Sequence, residues 1–374
     1  VSRYLSWAEI DVKQLFKNVE NIKAVFDGNR KIMAIVKANA YGHGGREIAK
    51  FLSDKVDFFG VANLNEALEI ESTGAKNPIL LLGLCMPAEY AVAIEHKFRL
   101  TISSLTMAET INELAGRQKI KPKVHIKIDT GMGRLGMPYR TAFKTIDAIL
   151  ALQNLEIEGI FTHFSTADIS GSAFTDKQID LFGLLIDELK KNGIEFPLVH
   201  AANSAGLTKS YGADYFNMIR PGILIYGYYN CEELKKLVQV EPILSLKSQV
   251  LFIKEIERDK GVSYGRHHIT GEKTQISVMP LGYSHGLPYN LAGKITVLCK
   301  GKRYPVVGNI CMDYSIIDLG RNSDVAEGDQ MIYIGRSGDE VNTAAEWAKA
   351  ANTITYEILT RISSKIPRLY MNHE

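Results

Sequence analysis

The chain has 374 residues, 46% of them hydrophobic, and its 44 basic and 42 acidic side chains leave a formal net charge of +2. That length serves a barrel-sized domain plus a smaller one, and so even a charge balance gives no electrostatic footprint for nucleic acid or anionic lipid. Cys85, Cys231, Cys299 and Cys311 stand far apart with no Cys-x-x-Cys pair, which speaks against a zinc knuckle, a redox motif or a disulfide framework and for a reducing cytoplasm.

The chain starts at Val1, as a processed chain or one cut from something longer does, and contains neither a secretory signal nor an apolar run of membrane-spanning length. After Trp7-Ala-Glu-Ile-Asp11, residues Leu15, Phe16, Val19, Ile22 and Phe26 recur at helical spacing and predict an amphipathic helix over 12–26. Lys31 to Val36 reads as a strand covered on both faces, because its apolar run is continuous rather than alternating. Strand and helix then alternate. Strands at 58–62, 79–82, 98–102, 124–128, 157–161 and 198–201 precede helices at 65–72, 89–96, 106–115, 139–152, 176–192 and 204–211, and a last strand runs near 216–219. The candidates opening at Ile79 and Phe98 are the weakest, and one of them is expected to fall outside the barrel. This pattern predicts an α/β fold: an N-terminal (β/α)8 TIM-like barrel over 9–235. An open doubly wound sheet is the runner-up, but the Gly-x-Gly-x-x-Gly turn that usually announces it after an early strand is missing. From about Glu241 short β-branched stretches (249–256, 274–280, 294–298, 330–334) and one helix at 343–351 predict a mostly β domain at 236–374, with 1–8.

Lys37 emerges at the carboxyl end of the first strand, where a partly dry amine is suited to a Schiff base with an aldehyde cofactor. On its own it reads as a solvated lysine where a strand meets its loop, as most lysines are exposed. Barrel chemistry sits on the loops leaving strand carboxyl ends, with phosphate after the last two strands. There His200-Ala-Ala-Asn-Ser-Ala-Gly206 offers Ser204 at a helix start, and Arg220-Pro-Gly-Ile223 offers the Gly222 and Ile223 amides. Ser204 is as readily a helix cap and Gly222 a turn glycine. A metal-dependent hydrolase using His43, His163 and His200 lacks any His-x-His or carboxylate-bridged cluster, so no metal is expected.

Val36-Lys-Ala-Asn-Ala-Tyr-Gly-His-Gly44 resembles the pyridoxal 5'-phosphate (PLP) signature of the alanine racemase family. The resemblance runs from Trp7-Ala-Glu-Ile-Asp11 to Ile366-Pro-Arg-Leu-Tyr370. It includes Lys127-Ile-Asp-Thr-Gly-Met-Gly-Arg-Leu-Gly136, Thr162-His-Phe-Ser165, Asn203-Ser-Ala-Gly206, Arg220-Pro-Gly-Ile223, Val262-Ser-Tyr-Gly265, Cys311-Met-Asp313 and Thr355-Tyr-Glu357. It implies an isomerase that interconverts L- and D-alanine for peptidoglycan precursors, with Lys37 joined to PLP and serving as one base. Tyr264, from the partner subunit's β domain, is implied as the second. Two opposed groups suit a reaction that removes a proton from one face of Cα and returns it on the other.

The resemblance further implies that Tyr41, Ser204, Gly222, Ile223 and Tyr356 hold the phosphate and that Arg220 faces the pyridine nitrogen, supported by His200. His163 lies close to the second base. Arg134 binds the substrate carboxylate and the cofactor's phenolic oxygen, and Lys127 corresponds to a lysine carbamylated in many relatives. Met312, with Asp313 nearby, reaches in from the other subunit, and Tyr283 narrows the entry. A cytoplasmic homodimer with shared active sites follows. Relatives usually carry Gly-Tyr-Ala-Asp-Gly where this chain has Gly282-Tyr-Ser-His-Gly286, so His285 replaces an acid. That departure keeps a second substrate in view: the serine of the vancomycin-resistance racemases, whose catalytic half follows a membrane-embedded one. A non-catalytic PLP-binding protein is a remote alternative, needing neither the β domain nor Tyr264.

Overall fold

Short apolar segments alternate with amphipathic helices, and in the computed structural model, which describes residues 3–26, 28–209 and 215–373, they close a parallel barrel. The chain divides into two compact units. A barrel unit comprises Leu15–Ala40 and Gly45–Glu241, and a β unit comprises Val1–Gln14, Tyr41–Gly44 and Pro242–Glu374.

The barrel strands are β1 (Lys31–Ile35), β2 (Phe58–Val61), β3 (Ile79–Leu81), β4 (Arg99–Ile102), β5 (Lys123–Asp129), β6 (Glu156–Phe161), β7 (Leu198–His200) and β8 (Met218–Ile219). Each pairs in parallel with the next, and β8 pairs with β1 through Ile219 and Ile32, so the ring has no open edge. Both doubtful segments are barrel strands, correcting the expectation that one lies outside. Ile79, Leu80 and Leu81 are buried throughout and pair with β2, and Leu80 and Leu81 also pair with β4, so three residues suffice.

On β5 the side chains alternate: Val124, Ile126 and Ile128 are buried on one face, while His125 and Lys127 take the other. Between the strands, Gly45–Leu52 buries Gly45, Ile48, Ala49 and Leu52, one stripe of a helix. Asn63 and Ser104 cap the next helices through side-chain oxygens that accept from the Glu66 and Met107 amides. After β7 the expected helix is only a 3-10 turn, Ala205–Thr208. Asn203 Oδ1 accepts from the Gly206 amide and tightens the chain there. Ser210 and Tyr211, the end of that expected helix, lie outside the described residues.

In the β unit a ten-stranded sheet holds the Ser6–Asp11 strand between Leu244–Gln249, antiparallel, and Arg368–Met371, parallel. The single strand expected over 249–256 is broken between Gln249 and Phe252. Two helices follow late in the chain: Ala344–Ala351, capped reciprocally by Thr343 and Glu346, and Thr355–Arg361, which periodicity did not reveal. All four cysteines are free. No helix among the described residues is long and apolar enough to cross a membrane.

Gly60 on β2 shows how tightly the barrel is filled. A Cβ there would stand 2.6 Å from Ile35 Cδ1, 3.0 Å from Leu82 Cδ1 and 3.1 Å from Met33 Sδ. Gly60→Ala is therefore expected to lower stability by about 1–3 kcal/mol through overpacking. A urea-unfolding midpoint equal to that of the unsubstituted protein would show that the interior has room to spare.

Candidate active site

The segment after β1 does not simply leave the strand. Ala38, Asn39, Ala40 and Tyr41 all have φ between 51° and 54°, a left-handed turn made without glycine. Each such residue costs about 1–2 kcal/mol, so the turn is imposed from outside. In the barrel unit, Glu66 accepts from the Ala38 amide through Oε1 and from the Ala62 amide through Oε2, both at 2.7 Å. Asn39 Oδ1 accepts from Gly45 N at 2.7 Å. In the β unit, Arg368 donates to the Gly42 carbonyl through Nε and Nη2, and Tyr370 Oη donates to the His43 carbonyl. The turn fixes the half-buried Lys37 at the barrel mouth. Burial lowers the Lys37 pKa first, with Arg134 and Arg220 adding repulsion against Glu66's opposing pull.

Arg134 and Lys127 share that mouth. Arg134 is exposed, on a loop turned by Gly131, Gly133 and Gly136, all at positive φ, and the Asp129 carboxylate accepts from the Gly131 and Gly133 amides. Lys127 is 5% exposed, with Nζ 5.1 Å from the centre of the Phe161 ring. Burial, Arg220, Arg134 and Lys37 together pull its pKa down to about 8.

Arg220, just beyond β8, is the most heavily bonded of the group. It donates through Nη1 to His200 Nδ1 at 3.0 Å, and through Nη2 to the carbonyls of Thr162 and Ala201 and to His163 Nδ1. Burial and the adjacent guanidinium hold His163 and His200 well below the ordinary histidine range, so both rings are neutral. Ser204 is not a helix cap: its Oγ accepts from the Gly222 and Leu224 amides at 3.0 and 3.3 Å. The Gly222 amide, expected to be open, is engaged there. Both Oγ lone pairs are thereby occupied, which leaves the hydroxyl proton to donate elsewhere. Ile223 is buried in the same turn.

In the β unit, Tyr41 and Tyr356 stand with ring centres 5.8 Å apart, and burial pushes the Tyr41 hydroxyl upward. Tyr264 is 73% exposed and Met312 55%. Tyr264 follows Ser263 at φ 62°, and its carbonyl accepts from Asn309 Nδ2. Ser284 Oγ donates to Asp313 Oδ1, and the Tyr283 and Ser284 amides donate to the Cys311 and Met312 carbonyls. A Cβ on Gly282 would lie 2.4 Å from both carbonyls, which is why this loop needs glycine.

Sequence reasoning missed three groups beneath the mouth: Arg99, His125 and Glu158. His125 Nδ1 is 2.9 Å from His200 Nε2, and its Nε2 is 3.2 Å from Glu158 Oε2. The signal for His125 and Glu158 was the alternation along Lys123-Val-His-Ile-Lys127 and Glu156-Ile-Glu158, which puts polar residues on the lumen face of two barrel strands.

Comparison with known proteins shows the class, an amino-acid racemase and so an isomerase. Residues 10–230 match "Alanine racemase, N-terminal domain" and residues 243–370 "Alanine racemase, C-terminal domain". The chain is 37% identical over 370 residues to the alanine racemase of Halothermothrix orenii, covering 98% of this chain and 97% of that one. The alanine racemase structure from Clostridium difficile 630 superposes with a TM-score of 0.94 at 36% identity, covering 100% of this chain and 98% of that one. Histidine racemase from Leuconostoc mesenteroides subsp. sake shares the fold at a TM-score of 0.89 and 26% identity, covering 100% and 99%. The chain belongs to the alanine racemase family.

With Lys127 titrating at about 8 when folded and near 10.4 when unfolded, the sign of its contribution is fixed. At neutral pH the folded protein carries a buried charge that the unfolded chain hydrates freely. Between these two values the unfolded chain binds the extra proton, so rising pH restores stability. In carbon-dioxide-free buffer, Lys127→Met is expected to melt above the unsubstituted protein at neutral pH, by at most about 3 kcal/mol. That advantage should fade by about pH 10; one that persists there does not arise from the buried charge.

Proposed function

We propose that this protein interconverts L- and D-alanine by a two-base mechanism with PLP held at the barrel mouth, supplying D-amino acid for peptidoglycan precursors. The carrying observation is the depressed lysine amine of Lys37 at the end of β1, set among Lys127, Arg134 and Arg220. The carboxylates that act on these cations, Glu66 and Asp129, already accept from backbone amides. A phosphate dianion and a substrate carboxylate fit such a mouth. When bound, the cofactor supplies an aldehyde for covalent attachment to an amine and a conjugated ring that delocalises the charge left by a departing proton.

The chain's own residues do the rest. By the family resemblance Tyr41, Ser204, Ile223 and Tyr356 would hold the phosphate, Ser204 with the hydroxyl proton that its two amide contacts leave over, while the Gly222 amide stays with Ser204. Arg220 would donate to the ring nitrogen and, being unable to give up its proton, keep that nitrogen unprotonated. Arg134 would bind the substrate carboxylate with the backbone N–H of Met312. A carbamate on Lys127, favoured by the neutral fraction of an amine near 8, would orient Arg134. Lys37 Nζ takes or returns the proton on one face of Cα and Tyr264 Oη on the other, tuned by neutral His163. Tyr283 and Asp313 frame the entry.

Exposed Tyr264, Tyr283, Tyr289, Met312, Tyr314 and Ile354 on the β unit support a homodimer in which each copy completes the other's site. The free thiols support a reducing cytoplasm. Chiral chromatography after separate incubation with L-alanine and L-serine tests the reading: alanine is expected to racemise faster, and faster serine turnover would reassign the substrate.

Two substitutions test the roles. Lys37→Ala is expected to remove the bound cofactor's absorbance and turnover together; full turnover in that variant refutes the attachment site. Tyr264→Phe is expected to suppress exchange of the Cα proton with solvent far more from the L-enantiomer than from the D-enantiomer. Equal losses would eliminate the two-base arrangement.

A further inference from the structure

The four side chains Arg220, His200, His125 and Glu158 form one continuous line through the barrel lumen. It runs from the carboxyl mouth down to the amino-terminal end, where Arg99 and Lys123 open β4 and β5. Both imidazoles are fully buried. The Phe161 ring lies flat against His200, with centroids 4.8 Å apart and planes 7° apart, so the His200 ring is held in orientation. Gly159 sits opposite His125 in the β5–β6 register, and a Cβ there would approach His125 Nδ1 to 2.6 Å. The strand keeps a glycine where the ring needs space.

The hydrogen bonds of this line can be satisfied in only one direction. A guanidinium only donates, so His200 Nδ1 must accept and its proton must sit on Nε2. That N–H points at His125 Nδ1, which must in turn accept, so the His125 proton is on Nε2 and is donated to Glu158 Oε2. A doubly protonated His125 would present a donor to the His200 donor, so His125 is neutral as well. Burial lowers its affinity for a proton, in agreement, although Glu158 pulls the other way. Burial alone would raise the Glu158 pKa, but hydrogen bonds from His125, Arg99 and Lys123 hold it well below the usual carboxylate range. The line therefore ends on a permanent acceptor.

We infer that Glu158 and His125 are positioning residues for Arg220: the carboxylate sets the tautomer of His125, His125 sets that of His200, and His200 fixes the guanidinium at the barrel mouth. The consequence for turnover rests on the reaction proposed above; the tautomers do not. A carboxylate that fixes an imidazole's tautomer is an established way to control a site, and here the control passes through two rings.

Long-range 15N–1H spectra of the full chain labelled at histidine, with residues 125 and 200 assigned by single replacement, read the prediction without substrate. Both rings are expected to show a protonated Nε2 and a bare Nδ1 from roughly pH 6 to 9, on either side of the ordinary histidine pKa. A proton on His200 Nδ1, or an imidazolium at either ring, overturns the assignment. Glu158→Gln is expected to bring up the Nδ1–H form of His200 and to lower kcat about tenfold to a hundredfold, the usual effect of losing an orienting partner. Glu158→Asp, which keeps the charge, should restore the tautomer. Lys123→Met removes another partner of the same carboxylate and should leave tautomer and kcat unchanged. If Glu158→Gln slows turnover without moving the His200 signature, or Lys123→Met slows it equally, Glu158 is a structural brace and the inference fails. A protein with the expected signatures but no racemase activity would refute the reaction and leave the positioning line standing.

Discussion

Arg220 carries its charge at 3% exposure in the lumen of the barrel, and an unpaired ion in such a place costs several kcal/mol by rough estimate. Burial lowers its pKa, yet the guanidinium keeps its proton and so its donors need acceptors. The acceptors come from the positions where the barrel ladder ends. The Thr162 and Ala201 carbonyls lie one residue beyond β6 and β7, and His163 and His200 supply ring nitrogens from the same two strand ends. The histidines stay neutral because they are buried and, after that, because the guanidinium is beside them, and because they are neutral they can accept from it. Charge and acceptor thus specify each other, and Arg220 also adds its repulsion to the burial that depresses Lys37 and Lys127.

The second constraint is the backbone that delivers Lys37. Four left-handed residues in succession are unfavourable by about 4–8 kcal/mol in sum, and the division between the two units falls within that turn. Each half is held by its own unit: Glu66 and Asn39 on the barrel side, Arg368 and Tyr370 on the β side. Gly42 adds a steric condition, because a Cβ there would stand 2.1 Å from the Leu359 carbonyl. Strain at a functional position persists when the surroundings over-determine it, and here groups in both units do so.

Barrel strands were legible because burial on both faces leaves continuous apolar runs, and Lys37 was legible because its motif is local. The left-handed turn was not: nothing in Ala38, Asn39, Ala40 and Tyr41 demands positive φ, and the partners that impose it lie far away in sequence. The 3-10 turn after β7 was misread as a helix, since apolar spacing cannot show that Ser204 bonds to the β8 loop and Asn203 to Gly206. Glu158 and His125 could have been suspected from alternation, but their pairing across strands depends on the barrel's register.

The departure at His285 has a physical reading. His285 Nδ1 accepts from the Gly282 amide at 3.1 Å, and its own carbonyl accepts from Ser363 N, so the ring is part of the loop's bonding. An acceptor is what that position requires, and a carboxylate and a neutral imidazole both provide one. Burial keeps the His285 ring on the neutral side, against the pull of Asp313. The neutral imidazole therefore supplies an acceptor in the turn without placing a negative charge on the segment that carries Tyr283 and is bonded to Met312. Proteins named for alanine and for histidine share this fold, so the barrel itself does not choose the substrate side chain.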